Sequence, residues 1–156
     1  MKNIKWFTLR NEMTKGFSLI EVLIFVSILS VFFVIAASVT VVSVRNMKIN
    51  EHKILATHYA EELVEWLRNQ KEADWTTFSA RSSGNYCFNE SPIDTTWVVA
   101  GECTDYGLSG MFNRDLTFST VGSPVAQVNV KIIVSWHELG NSYQVPLTTV
   151  FTRWED

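Results

Sequence analysis

Glu21 is the only ionisable side chain between Lys15 and Arg45, and it stands at the mouth of a run of 23 uncharged residues, Val22 to Val44. A lone carboxylate taken into hydrocarbon costs on the order of 2.5 kcal/mol or more. The chemistry open to it is therefore ion pairing with a cation from elsewhere. Immediately before it, Lys15-Gly16-Phe17 joins a cation, a residue without a side chain and an aromatic ring. Other residues able to do chemistry are few: Cys87 and Cys103, the histidines His52, His58 and His137, and the acidic positions Glu90, Asp94, Glu102 and Asp105.

The apolar run sets where Glu21 works. At about 1.5 Å rise per residue a helix of this run is roughly 35 Å long, enough to cross a hydrocarbon core of roughly 30 Å. Lys2, Lys5, Arg10 and Lys15 precede it against Glu12 alone. By the positive-inside rule this end stays in the cytoplasm, and everything after Arg45 is exported. An ordinary secretory signal cut near Val34-Ile35-Ala36 has an apolar region of only ~7–15 residues, shorter than this one and without a glutamate inside it. A plain uncut anchor accounts for neither Gly16 nor Glu21.

The residues Lys15-Gly16-Phe17-Ser18-Leu19-Ile20-Glu21-Val22-Leu23-Ile24 resemble the class III signal of type IV pilins and type II secretion pseudopilins. The resemblance implies that a prepilin peptidase cuts between Gly16 and Phe17 on the cytoplasmic side and that Phe17, the new amino terminus, is N-methylated. Glu21 is then the fifth residue of the mature chain, where the family keeps a glutamate that pairs with a neighbouring subunit's amino terminus during assembly. Breaking such a buried pair from one side typically costs ~3–5 kcal/mol. The leader counts 16 residues from Met1, or four from Met13, which is the usual length in the short-leader branch. The family often has a proline where this chain has Ser38, most consistently in major subunits, so its absence points to a minor one.

Removal of residues 1–16 takes away four basic residues and one acidic residue, leaving 9 basic and 15 acidic residues and a net charge of −6. Beyond Arg81 only Arg114, Lys131 and Arg153 remain as strong cations. Phosphate-backbone affinity needs clustered Lys and Arg, so no direct nucleic-acid binding is expected. Cys87 and Cys103 both lie in the exported part, where a disulfide is permitted; closing it stabilises a loop of this size by ~3 kcal/mol in the chain-entropy model. Two buried thiols are the alternative, and no metal is expected. The acidic positions near this loop lack the spacing of a calcium loop and read as a solvated face. His52 and His58, six residues apart on a helix, point to different faces; His137 falls in an expected turn, and all three read as surface residues. No nucleophile elbow, phosphate loop or His-Glu-x-x-His motif is present. No enzyme activity and no cofactor are expected.

These residues need elements to carry them. Neither Gly nor Pro interrupts Phe17 to Trp75, so one continuous helix of more than 50 residues is expected. In its second half Leu55, Tyr59, Leu63 and Trp66-Leu67 form an apolar stripe between charged positions. Strands are expected at Trp97–Val99, Leu116–Val121 and Val128–Trp136, the last alternating strictly. A reversal at Gly140-Asn141 then leads to a final strand, Tyr143–Phe151, which Pro146 assigns to an edge or to an unpaired position. The expected fold is α+β: a long N-terminal helix, membrane-spanning in its first half, packed by its second half on an antiparallel β-sheet, the pilin fold. The C-terminal part, Phe112–Ser119 followed by a hairpin and Thr148–Trp154, also resembles minor pilins of the PilV or GspI type.

Three regions follow: a leader peptide at 1–16, a transmembrane and assembly segment at 17–45, and an exported head at 46–156. The expected function is that of a minor pilin or pseudopilin, a structural subunit that initiates, caps or decorates a type IV pilus or type II secretion pseudopilus. Its expected partners are other pilin subunits through the N-terminal helix, the prepilin peptidase, and the assembly platform of the inner membrane. The expected location is a single pass through the cytoplasmic membrane with the head in the periplasm or at the cell surface. The alternative is an anchored, adhesin-like binding module using Trp97, Phe112 or Trp154 as an exposed aromatic patch.

Overall fold

Helix α1 (Leu19–Ala73) is 55 residues long and contains neither glycine nor proline, so nothing in its sequence interrupts the backbone ladder. The computed structural model describes residues 16–94 and 96–153. Residues 1–15 of the expected 1–16 leader and the suggested patch residue Trp154 lie outside the described residues. Two compact units meet at Val44 and Arg45. In the first, α1 is the only element among the described residues, and every residue from Phe17 to Val44 is exposed.

The second unit is a helix-on-sheet layer. A short helix α2 (Trp75–Ser79) follows α1, and then come β1 (Gly84–Cys87), β2 (Phe112–Val121), β3 (Gln127–Glu138) and β4 (Asn141–Thr152). The sheet order is β1-β2-β3-β4, antiparallel throughout. Alternation decides which face is buried. Phe112, Arg114, Leu116 and Phe118 of β2 and Val128, Val130, Ile132, Val134 and Trp136 of β3 face the helix layer, while Thr117, Lys131 and His137 stay exposed. Burying each of the larger aliphatic side chains contributes about 1.5–3 kcal/mol.

The helix meets this face through His52, Ala56, Ala60, Leu63, Val64 and Leu67. The stripe expected from Leu55 and Tyr59 is thus displaced by one position: Leu55 is exposed and Tyr59 half-buried. Alanines at the centre of the stripe let the backbone approach the large side chains of β2 and β3, and those sheet residues supply the bulk.

Several expected elements differ. Trp97–Val99 is not a strand; Trp97 instead packs against Trp66, Phe78, Tyr86, Phe88 and Phe118, with Arg81 4.6 Å above its ring. The helix breaks at Asp74, whose carboxylate accepts hydrogen bonds from the backbone N–H groups of Thr76 and Thr77 and so starts α2. The reversal falls at Leu139-Gly140, both with positive φ, one residue before the expected position. His137 therefore belongs to β3 and not to a turn. β4 lies at the sheet edge, as Pro146 requires.

Candidate functional site

The chain enters α1 through Gly16-Phe17-Ser18, which are not helical. Ser18 is the cap: its carbonyl accepts from the N–H of Glu21 at 3.0 Å and of Val22 at 3.2 Å. Serine is a favoured residue there, and Glu21 in the first turn puts a negative charge at the positive end of the helix dipole. Phe17, Glu21, Val22 and Phe25 line one shallow depression. Among the described residues the Glu21 carboxylate makes no hydrogen bond or ion pair. Phe17 is 82% exposed. The amino group that a cut after Gly16 creates would thus lie four residues from this carboxylate in its own chain, with both groups open to a neighbour.

Downstream the helix turns four of its polar side chains back on the backbone. Ser27, Ser30, Ser38 and Thr40 donate to the carbonyls four residues earlier, Leu23, Val26, Val34 and Ala36, at 2.7–2.9 Å. Their donors are satisfied without water, so these hydroxyls suit an apolar medium. The most apolar window of this helix has a mean hydropathy of 2.9 and none of it is buried within the chain. A surface of this kind is stable only against lipid or other apolar helices.

In the head, Cys87 and Cys103 stand at bonding distance, S–S 2.10 Å with Cα atoms 4.9 Å apart. The Cys103 N–H donates to Asp115 at 3.0 Å, tying the same loop to β2. Sequence reasoning missed the neighbouring residue, Arg114, which is fully buried. Its guanidinium donates to the carbonyls of Phe88 (2.8 Å), Tyr59 (2.7 Å) and Glu90 (2.6 Å) and to the Glu62 carboxylate (2.9 Å). Burial pushes its pKa below the ordinary arginine range and the Glu62 carboxylate opposes that shift. One side chain therefore holds α1, β2 and the loop after β1 together.

The histidines do not form a site with one another. His52 is buried and paired with Glu138 at 2.8 Å, correcting its reading as a surface residue, whereas His58 and His137 are exposed. His137 bonds the hydroxyls of Tyr106 and Ser142. Two of the three residues suggested for an aromatic patch are not exposed: Phe112 is 2% exposed, and Trp97 is half-buried in the aromatic cluster. Both are used to pack the core. Among the described residues no group of His, Cys, Asp and Glu is arranged to hold a metal.

The family model for the prokaryotic N-terminal methylation motif matches residues 13–37. These residues contain Gly16, Phe17, Glu21 and most of the apolar run, and the motif is the amino-terminal signal of pilin- and pseudopilin-type proteins. Proteins with this signal are structural; the signal goes with processing by a prepilin peptidase, membrane anchoring, export and assembly with pilin subunits. No curated protein and no solved structure matches the chain significantly.

Proposed function

We propose that this chain is a minor pilin or pseudopilin that initiates, caps or decorates a type IV pilus or type II secretion pseudopilus. The observation that carries the reading is the lone carboxylate of Glu21, inside the matched motif, on a helix exposed at every residue from Phe17 to Val44. In this reading the peptidase cuts between Gly16 and Phe17, Phe17 is N-methylated, and residues 17–45 act as the membrane and assembly segment. The N terminus of the precursor is cytoplasmic, and the 46–156 head is exported to the periplasm or cell surface. The platform protein of the inner membrane then passes the subunit to its neighbours. The burial of Phe112 and Trp97 removes the basis for an adhesin-like patch at those residues.

Glu21 selects for assembly because its charge is tolerable in an apolar core only beside a cation. A neighbour's Phe17 amine supplies one. Losing one partner of a buried pair costs ~3–5 kcal/mol, and at 1.4 kcal/mol per tenfold even the lower value corresponds to roughly 100-fold less incorporation. Glu21→Ala should therefore be cleaved, stay in the membrane and fold its head, yet be depleted about 100-fold from sheared filaments by quantitative immunoblot. Glu21→Gln should fall between the two, since its amide oxygen still accepts from the amine. Equal amounts of wild-type and Glu21→Ala protein in filaments would refute the selector role.

A further inference from the structure

Between β1 and β2 the chain forms neither helix nor strand among the described residues, and what holds it in place is centred on Arg114. The Phe88 and Glu90 carbonyls accept from its guanidinium, its own carbonyl accepts from the Phe88 N–H at 3.0 Å, and its N–H donates to the Asn89 side chain at 2.9 Å. Ser91 reaches both oxygens of Glu62, the carboxylate paired with Arg114, at 3.1 and 3.2 Å. Farther along, Ala100 bridges Tyr86 and the Gly101 N–H donates to the Asn85 carbonyl at 2.8 Å. Phe88, Asn89, Glu90, Ser91, Ala100 and Gly101 all lie inside the ring that the Cys87–Cys103 bond closes.

The closed loop also has unfavourable features. Arg114 is fully buried, and a guanidinium and a carboxylate taken out of water regain from each other little more than they lose in hydration. The indole N–H of Trp97, inside the ring, and the Nε–H of Arg81, stacked over the Trp97 ring, are buried without a hydrogen-bond partner. Lifting the loop returns these groups to water. Opposing that, Trp97 packs on Trp66, Phe78, Tyr86, Phe88 and Phe118. Such opposed contributions bring the closed and open loop close in free energy, and the entropy removed by a cross-link over a sequence separation of 16 is of a size to choose between them. Both cysteines are half-buried, so a thiolate can reach the bond.

We propose that Cys87–Cys103 is a redox switch on the 88–102 loop: the disulfide holds the loop down on Arg114, and reduction lifts it while β2, β3 and β4 stay folded against α1. Two electrons and two protons convert the disulfide to two thiols. They come from a dithiol protein or a small thiol, which forms a mixed disulfide with one cysteine and leaves oxidised. Closure runs in reverse, with the disulfide of a thiol–disulfide oxidoreductase as the electron acceptor. In the open state Arg114 and Glu62 are hydrated, Trp97 leaves the aromatic cluster, and the outer edge of β1 loses Ala100 and Gly101. The switch belongs to the head and does not depend on the filament reading above.

The test is residue-resolved hydrogen exchange on the full-length protein in detergent, oxidised and after treatment with dithiothreitol. The Phe88, Gly101 and Cys103 amides, which bond to Arg114, Asn85 and Asp115, should exchange about 100-fold faster once the bond is reduced. Val130 and Ile132 in β3 should change by less than ~3-fold, and glutathione disulfide should restore the slow rates. Cys87→Ser combined with Cys103→Ser should behave as the reduced protein without any reductant. Glu62→Ala should lower the melting midpoint of the reduced protein by no more than about half of its effect on the oxidised protein, because little of the Arg114 latch is left to lose. Unchanged rates at Phe88, Gly101 and Cys103 on reduction would overturn the switch. Equal acceleration at Val130 and Ile132, or a serine pair that leaves those two amides unprotected, would overturn it as well and make the disulfide a brace of the whole head.

Discussion

The Arg114 guanidinium gives the head a test that the membrane segment does not complicate. Glu62→Ala removes its only carboxylate, leaving a fully buried cation held by the carbonyls of Phe88, Tyr59 and Glu90. Breaking a buried pair from one side costs ~3–5 kcal/mol; the three carbonyls keep the cost at the lower end, about 3 kcal/mol. Arg114→Met frees those carbonyls and removes the charge, also costing about 3 kcal/mol through unsatisfied acceptors. Because Glu62 matters mainly through Arg114, the double variant should cost about 2 kcal/mol less than the sum of the singles. For a head of this size 1 kcal/mol shifts the melting midpoint by about 4–8 °C, so Glu62→Ala should lower it by at least ~12 °C. Tryptophan fluorescence on the full-length protein in detergent reads this directly, since Trp66, Trp97 and Trp136 pack in or against the core. Arg114→Lys should not restore stability, because an ammonium cannot span four acceptors in fork geometry. A fall of less than 4 °C in Glu62→Ala, or strict additivity in the double variant, would refute the latch.

Two further outcomes follow from the head. Thiol labelling of unreduced protein taken from the envelope should find neither Cys87 nor Cys103 free, and reduction should cost ~3 kcal/mol for the 16-residue separation; two readily labelled thiols would count against it. The Asp74 pKa is lowered, first by the Thr77 hydroxyl and then by the Thr77 backbone N–H, so the cap of α2 stabilises fully above the ordinary carboxylate pKa and is lost as pH falls through the lowered value. Asp74→Asn should flatten that acid limb of the melting curve, and an unchanged acid limb would rule the cap out as its source.

The elements legible in the sequence were those with a long, unbroken period. α1 shows itself by the absence of Gly and Pro over 55 residues, and β3 by strict alternation from Val128 to Trp136. β1 is four residues, Gly-Asn-Tyr-Cys, too short to show alternation and held by pairing with Asp115 to Phe118. Trp97-Val98-Val99 has strand composition, but Trp97 plugs the aromatic cluster from a loop, a tertiary demand that overrides local preference. The turn was displaced because Leu139 takes a positive φ of 51°, which composition assigns to Gly or Asn. Arg114 was invisible as a buried residue, since its partners, three carbonyls and the Glu62 carboxylate, come from segments distant in sequence. At the amino terminus the reverse holds. Lys15-Gly16-Phe17 and Glu21 stand out in the sequence as a glycine and a lone charge at the border of an apolar run, the motif match covers them, and their roles in cleavage and pairing belong to the proposal.

The central claim is that this chain is a processed filament subunit, and the most direct measurement is the intact mass and amino-terminal sequence of protein recovered from sheared filaments. The account predicts a single mature species beginning at N-methylated Phe17. A species that retains Lys15-Gly16, or one that begins after Ala36, would contradict it.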